Sequence, residues 1–330
     1  MNDLHRSGFI ALAGRPNVGK STLVNALLKE SILPVSRKPQ TTRKQQLGIL
    51  TTPQAQAVFV DTPGIHEPHH RLGELMNKAA QAALLDADLV LCVFDLHFQP
   101  GRDDQRVASA VQASQKRCLA ALNKIDLTSP ENLQSNWEAY EHLLPSAKPI
   151  GVSATRGDNL ELLLAEILES LPPGPRYFPE TEVTDTYERD LAADLIRAAA
   201  LELLRQEVPH SVAVVVDEYR ERKERGAFIA ATLYVERQSQ KGIVIGKGGQ
   251  MLREIGKLAR KGIEAMSGRS VYLELRVKVL PGWRNDEQAL RRLGYATRSP
   301  SRRSFDRDHD RSTGFTIVVR RAHNRELAER

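Results

Sequence analysis

Residues 14–21 read GRPNVGKS and fit the pattern G-x-x-x-x-G-K-[ST]. The octapeptide lies between an apolar run, FIALAG (9–14), and a helical stretch, TLVNALLK (22–29). Strand, glycine loop, then helix is the setting in which such a loop cradles phosphate groups. Gly14 and Gly19 permit a backbone path that turns successive amide N–H groups toward phosphate oxygens. Lys20 reaches the terminal phosphates, and Ser21 offers a hydroxyl to magnesium. Arg15, Pro16, Asn17 and Val18 complete the loop, and Thr22 opens the helix.

A phosphate loop does not by itself select a base, but the later motifs do. VFVDTPG places Asp61 at the end of an apolar run, where a residue that holds magnesium directly or through a bound water belongs. Thr62 and Pro63 lead from it to Gly64, whose amide can sense a terminal phosphate. ALNKID places Asn123 and Asp126 at another strand end. A carboxylate there accepts hydrogen bonds from N1 and the exocyclic amine of guanine, a donor pair that adenine lacks, while the stem of Lys124 lies along the base. VSAT adds Ser153 and Ala154 at the fifth strand end. The runs at 9–14, 56–62, 89–95, 118–124 and 149–154 alternate with helix-length amphipathic stretches. Near-continuous apolar strands separated by helices predict an α/β domain with a mostly parallel sheet covered on both faces.

With these motifs in order, residues 1–296 resemble the Era family, bacterial GTPases related to the translation factors. The resemblance implies GTP/GDP and Mg2+ as ligands, with Ser21, Thr42 and Asp61 around the metal. It makes SRKPQTTRKQ (36–45) the first switch, in which Thr41 or Thr42, preferably Thr42, closes onto magnesium. Both switches are expected to order and disorder with the nucleotide. Ile65 stands where a glutamine would orient the attacking water, and an isoleucine cannot do so. Related GTPases use an asparagine in the phosphate loop to hold K+ in place of an arginine finger, so Asn17 is a candidate for that role or a plain loop stabiliser. Lys20, Thr42 and Asn17 are therefore the residues expected to act in hydrolysis. His66, His69 and His70 fall in the second switch and are read as a solvated mobile loop rather than a metal site. The carboxylate-rich stretches are read as ordinary helix faces.

A second glycine loop, GKGG (Gly246, Lys247, Gly248, Gly249), is shorter and lacks a following Ser or Thr. It cannot do the first loop's work. It fits the G-x-x-G turn of a KH module, whose bare backbone lets RNA phosphates approach while the lysine supplies charge. The helix after it carries Leu252, Ile255, Ala259, Ile263 and Met266 on one face, with Arg253 and Lys257 on the rim as RNA candidates. Ile243 and Val244 form either an apolar floor for bases or part of the core. β-branched runs at 211–219, 228–237 and 271–280 with a helix near 189–206 predict a small α+β domain, a type II KH domain by resemblance.

Of the 330 residues, 41% are apolar. Net charge is −1 over 1–175 and +7 over 176–330, so the basic excess belongs to the second half alone. That is either an ordinary solvated surface or the footprint of an anionic partner, nucleic acid or membrane. No apolar run reaches the ~20 residues of a membrane span. Cys92 and Cys118 are expected as reduced core thiols of a cytoplasmic protein. The expected organisation is a GTPase domain (1–171), a Pro-rich linker (172–180), a KH domain (181–296) and a basic, unstructured tail (297–330). The resemblance further implies a monomer bound to the 3′ end of 16S rRNA in the maturing 30S subunit, and occasional peripheral contact with the inner face of the membrane. The alternative is a GTP-dependent signalling or membrane switch whose second domain binds protein or lipid.

Overall fold

The computed structural model describes residues 5–36, 38, 41–222 and 226–295. The first half alternates strand and helix: β1 (Arg6–Ala13), α1 (Lys20–Leu28), β2 (Gln46–Thr51), β3 (Ala55–Asp61), α2 (Arg71–Asp86), β4 (Leu89–Asp95), α3 (Arg102–Ser114), β5 (Cys118–Asn123), α4 (Pro130–Leu143), β6 (Lys148–Val152) and α5 (Leu160–Ser170). The strands form one sheet in the order β2-β3-β1-β4-β5-β6. Every pairing is parallel except β2 with β3. Alternate residues of the central strands serve two cores: Ile10 and Leu12 pack on one face, Phe9, Ala11 and Ala13 on the other. Burying each large aliphatic side chain contributes about 1.5–3 kcal/mol, which explains runs that are apolar at every position. Both cysteines are buried and free.

β2 is the strand that the apolar runs did not predict. Its sequence, QLGILT, starts with a polar residue and contains a glycine, yet all six positions are buried. Gly48 is needed there, because a Cβ would meet Val24 Cγ1 at 2.8 Å.

Residues 172–180, expected as a short stiffened linker, are bound to the first domain instead. Gln56 on β3 has no exposed surface. Its Oε1 accepts hydrogen bonds from the amides of Tyr177 (2.7 Å) and Phe178 (3.0 Å), and its Nε2 donates to Phe178 O (2.9 Å) and Thr51 Oγ1 (2.9 Å). Ser7 Oγ donates to Pro175 O at 2.6 Å, and the amide of Ile49 reaches Val183 O at 2.9 Å. The prolines stop α5, and the freed backbone then finds partners on the sheet.

The second half contains α6 (Glu188–Leu203), β7 (Ala213–Arg222), β8 (Gly226–Val235), α7 (Gln238–Ile245), α8 (Gln250–Ser267), β9 (Ser270–Val279) and α9 (Glu287–Arg292). Its sheet has the order β7-β8-β9, antiparallel and then parallel, and α6 and α8 cover one face. The stripe on α8 is as expected: Ile255, Ala259 and Ile263 are buried, with Leu252 and Met266 packed beside them. Residues 297–330, including FTIVVRR, lie outside the described residues. Among the described residues no helix is long and apolar enough to cross a membrane.

Replacing Gln56 with Ala strands two amides and a carbonyl away from water, and unpaired buried groups cost about 1–3 kcal/mol each. Urea unfolding should show Gln56→Ala destabilised by about 2–4 kcal/mol, against less than about 0.5 for Leu162→Ala on the surface.

Candidate functional site: a nucleotide cleft and a glycine-rich RNA loop

The loops at the carboxyl ends of β1, β3, β5 and β6 meet above the sheet, where open α/β sheets bind ligands. Asn123 joins three of them. Its Nδ2 donates to Val18 O (2.8 Å) in the phosphate loop, and its Oδ1 accepts from the amide of Ala154 (3.0 Å). Gly19 adopts φ 97°, and a Cβ there would lie 2.4 Å from Asn123 Nδ2, so only glycine lets that amide approach.

Lys20 is buried, and its Nζ donates to Gly14 O (3.0 Å) and Arg15 O (3.2 Å). Burial lowers its pKa to about 8, partly opposed by Asp61 and reinforced by Arg15. Beside it the three expected metal ligands converge. Asp61 Oδ2 accepts from Ser21 Oγ (2.6 Å) and Thr42 Oγ1 (3.0 Å), and the two hydroxyls are 3.1 Å apart. Among the described residues, Asp61 Oδ1 is buried without a hydrogen-bond partner. Burial raises the Asp61 pKa, and Lys20 and the two hydroxyls oppose the rise. Three hard oxygens around an under-satisfied buried carboxylate fit a hard divalent cation such as Mg2+.

On the base side, Asp126 lies 3.7 Å from Arg156 Nε. Lys124 Nζ binds Asp95 Oδ2 (2.7 Å) and Asn17 O (2.9 Å), which holds its stem across the pocket. Ser153 is fully buried, and its Oγ accepts from the Arg156 amide (3.1 Å), so it shapes the loop. Thr62 Oγ1 donates to Leu12 O (2.7 Å), and Gly64 lies against Pro16, where a Cβ would come within 2.6 Å of its nitrogen.

Other placements differ from the sequence reading. The Arg15 side chain turns away from the cleft to Asp104 (3.2 Å) and Asp95 (3.6 Å). Asp104 is 1% exposed, so the GRDDQ stretch is not an ordinary solvated helix face; burial raises its pKa, opposed by the Gly101 amide and Arg15. Asp95 gave a signal, an acidic residue closing a buried run as Asp61 does, whereas Asp104 gave none. His66 is pinned rather than solvated: its Nδ1 contacts Gly64 O (2.8 Å), and Asn77 Nδ2 donates to its carbonyl (2.8 Å). His69 is exposed, and among the described residues no group of His, Cys, Asp and Glu is arranged to hold a metal ion.

In the second domain the GKGG loop joins two helices. Lys247 and Gly248 are exposed, and Gly248 and Gly249 have φ of 58° and 77°. Val244 is fully buried and Ile243 is 47% exposed, so the first is core and only the second is free to meet a base. Arg253 is exposed beside the loop, whereas Lys257 pairs with Glu254 at 3.0 Å.

Residues 9–124 match the family described as a 50S ribosome-binding GTPase, and residues 207–284 match the KH domain. The chain is 44% identical over 290 residues to GTPase Era of Heliobacterium modesticaldum, covering 88% of this chain and 97% of that protein. It is 45% identical over 294 residues to GTPase Era of Lacticaseibacillus paracasei, covering 89% and 98%. The chain belongs to the Era family of GTPases. A crystal structure of Era in complex with MgGDPNP and nucleotides 1506–1542 of 16S ribosomal RNA is 38% identical, has a TM-score of 0.84 and covers 89% of this chain and 100% of that one. A variant of Aquifex aeolicus Era bound to GDP·AlF4− has the same identity and TM-score, covering 88% and 100%. The Era fold, a P-loop GTPase domain followed by a KH domain, is thus the fold of this chain.

The lowered pKa of Lys20 sets a pH dependence. Phosphate favours the charged ammonium, so raising the pH through about 8 removes the cation and weakens binding. GDP affinity should be flat from about pH 7 to 7.5 and then fall by up to about tenfold per pH unit above 8, with proton uptake on binding seen by calorimetry in two buffers.

Proposed function

We propose that this chain is a GTP-binding and GTP-hydrolysing switch that grips the 3′ end of 16S rRNA through its KH domain and assists maturation of the 30S subunit in the cytoplasm. The observation that carries the reading is the pairing of two phosphate-holding loops on one chain. Ser21, Thr42 and Asp61 converge beside Lys20 in the first domain, and the exposed GKGG turn stands in the second. The support for the RNA's identity is the 38%-identical Era structure carrying MgGDPNP and 16S nucleotides.

In this reading Asp126 accepts the guanine donors and the Lys124 stem supports the base. Lys20 draws charge from the terminal phosphates, and Ser21, Thr42 and Asp61 hold the magnesium that neutralises the β and γ oxygens. Ile65 is 6% exposed and packed in the core, so it orients no water. Asn17, held at φ 66° at the mouth of the cleft, is the proposed support for K+. Lys247 and the bare glycine backbone receive the RNA phosphates, with Arg253 beside them. The +7 charge of residues 176–330 also supports peripheral contact with an anionic membrane.

Two measurements test this. A short RNA matching the 16S 3′ end should bind more tightly with a non-hydrolysable GTP analogue than with GDP, and Gly248→Asp should abolish that binding while GTP affinity is kept. A Cβ at Gly248 meets nothing within 4 Å, and aspartate tolerates this left-handed conformation, so the variant should fold. Absence of RNA binding in the wild-type chain would give the second domain to a protein or lipid partner. Hydrolysis should also run at least about tenfold faster in K+ than in Na+ at equal ionic strength, since a cation in the arginine-finger position is worth more than that. Equal rates would remove potassium from the mechanism.

A further inference from the structure

The residue after Thr42 is buried in the other domain. Arg43 is 4% exposed, and its guanidinium donates to Val212 O (2.7 Å) and His210 O (2.8 Å) in the turn before β7. It lies 5.7 Å from the ring centroid of Trp283, which is fully buried and donates from Nε1 to Ser211 O at 3.0 Å. Of the residues that follow, Lys44 and Gln46 also reach the second domain, while Gln45 turns back to its own. Lys44 Nζ lies 5.6 Å from the Tyr295 ring, Gln45 Nε2 donates to Ala79 O on α2 (2.8 Å), and Gln46 Nε2 donates to Asp194 on α6 (2.6 Å). On the side toward the nucleotide cleft, Thr42 bonds to Asp61. Burying a guanidinium is costly unless its hydrogen bonds are made, and here a turn of the second domain makes two of them.

We propose that Arg43 is a positioning residue for GTP hydrolysis: the KH domain grips switch I through it and thereby holds the Thr42 hydroxyl where the reaction needs it. The inference rests on the reading of this chain as a GTPase switch with Thr42 over the metal. It makes the second domain part of the hydrolytic apparatus, and not only a cargo-binding module driven by it. Thr42 and Arg43 share a peptide bond, so losing the guanidinium's hold frees the backbone that carries the Thr42 hydroxyl. A displacement of about 1 Å at a reacting centre costs up to about a hundredfold in rate.

The test uses the full chain with Arg43→Ala and Arg43→Lys. Single-turnover hydrolysis by Arg43→Ala should fall by about tenfold to a hundredfold, while GDP affinity, which depends on the phosphate and base loops, stays within about twofold. Hydrogen exchange of the amides of residues 41–46 with the GTP analogue bound should accelerate by at least about tenfold. Arg43→Lys keeps the cation over Trp283 but loses the two-pronged grip, so it should fall between, and it carries the test if the alanine variant does not fold. Trp283→Leu, distant from the nucleotide, should slow hydrolysis in the same sense. Unchanged hydrolysis and exchange in Arg43→Ala would overturn the proposal. So would a loss of GDP affinity in step with hydrolysis, which would mark a merely structural residue. A wild-type chain that binds GDP without hydrolysing GTP would refute the hydrolytic reading, and the exchange data would still decide whether Arg43 holds switch I.

Discussion

Three segments far apart in the chain meet at one amide. Asn123 donates into the loop after β1 and accepts from the loop after β6, so the loops at three strand ends share a strut. Both hydrogen bonds are buried, where an unmade bond is expensive and a made one rigidifies. Gly19 is the cost of this arrangement, since no side chain fits where the amide passes. With the strut in place, the spacing of these loops follows from the sheet, in which β1, β4, β5 and β6 stand side by side in parallel. Asp95 serves the same end, fastening Arg15 and Lys124 with one carboxylate oxygen.

The second requirement is that a rigid cleft can still report its contents. The segments around Thr42 and after Gly64 also touch the KH domain. Leu72 and Met76 on α2 share an apolar cluster with Trp283, Leu290 and Leu293, and the Leu72 amide donates to Arg284 O at 2.9 Å. Trp283 thus has switch I on one side and the second-switch helix on another. An interface that includes residues adjoining the cleft couples the two domains through that cleft's own walls.

Much of this is legible in the sequence itself, and the reason is local. The phosphate loop, DTPG, NKID and GKGG are contiguous stretches in which residue type follows from backbone geometry, so spacing alone was enough to bring Gly19, Lys20 and Asp61 to one cleft. The strands of the first sheet were readable because burial on both faces makes their sequences apolar throughout. What escaped depends on partners distant in sequence. Gln56 looks like one polar residue in a strand until Tyr177 and Phe178 are brought to it. Arg43 looks like a solvated charge in a basic stretch until the turn at 208–212 encloses it. β2 escaped because its burial is conferred by its neighbours in the fold, and Asp104 because a buried acid in a charged helix start has no local mark.

The fastening of the strap by Gln56 also determines how far the two domains can part. Contacts to the first domain persist to Val183, Thr184 is still buried, and α6 begins at Glu188. The tether proper is therefore only Asp185 to Tyr187. Domains joined so closely encounter one another at an effective concentration of millimolar order or above. An interface far too weak to hold two separate proteins would then remain mostly closed, and a ligand on either side would need only a small differential affinity to open it.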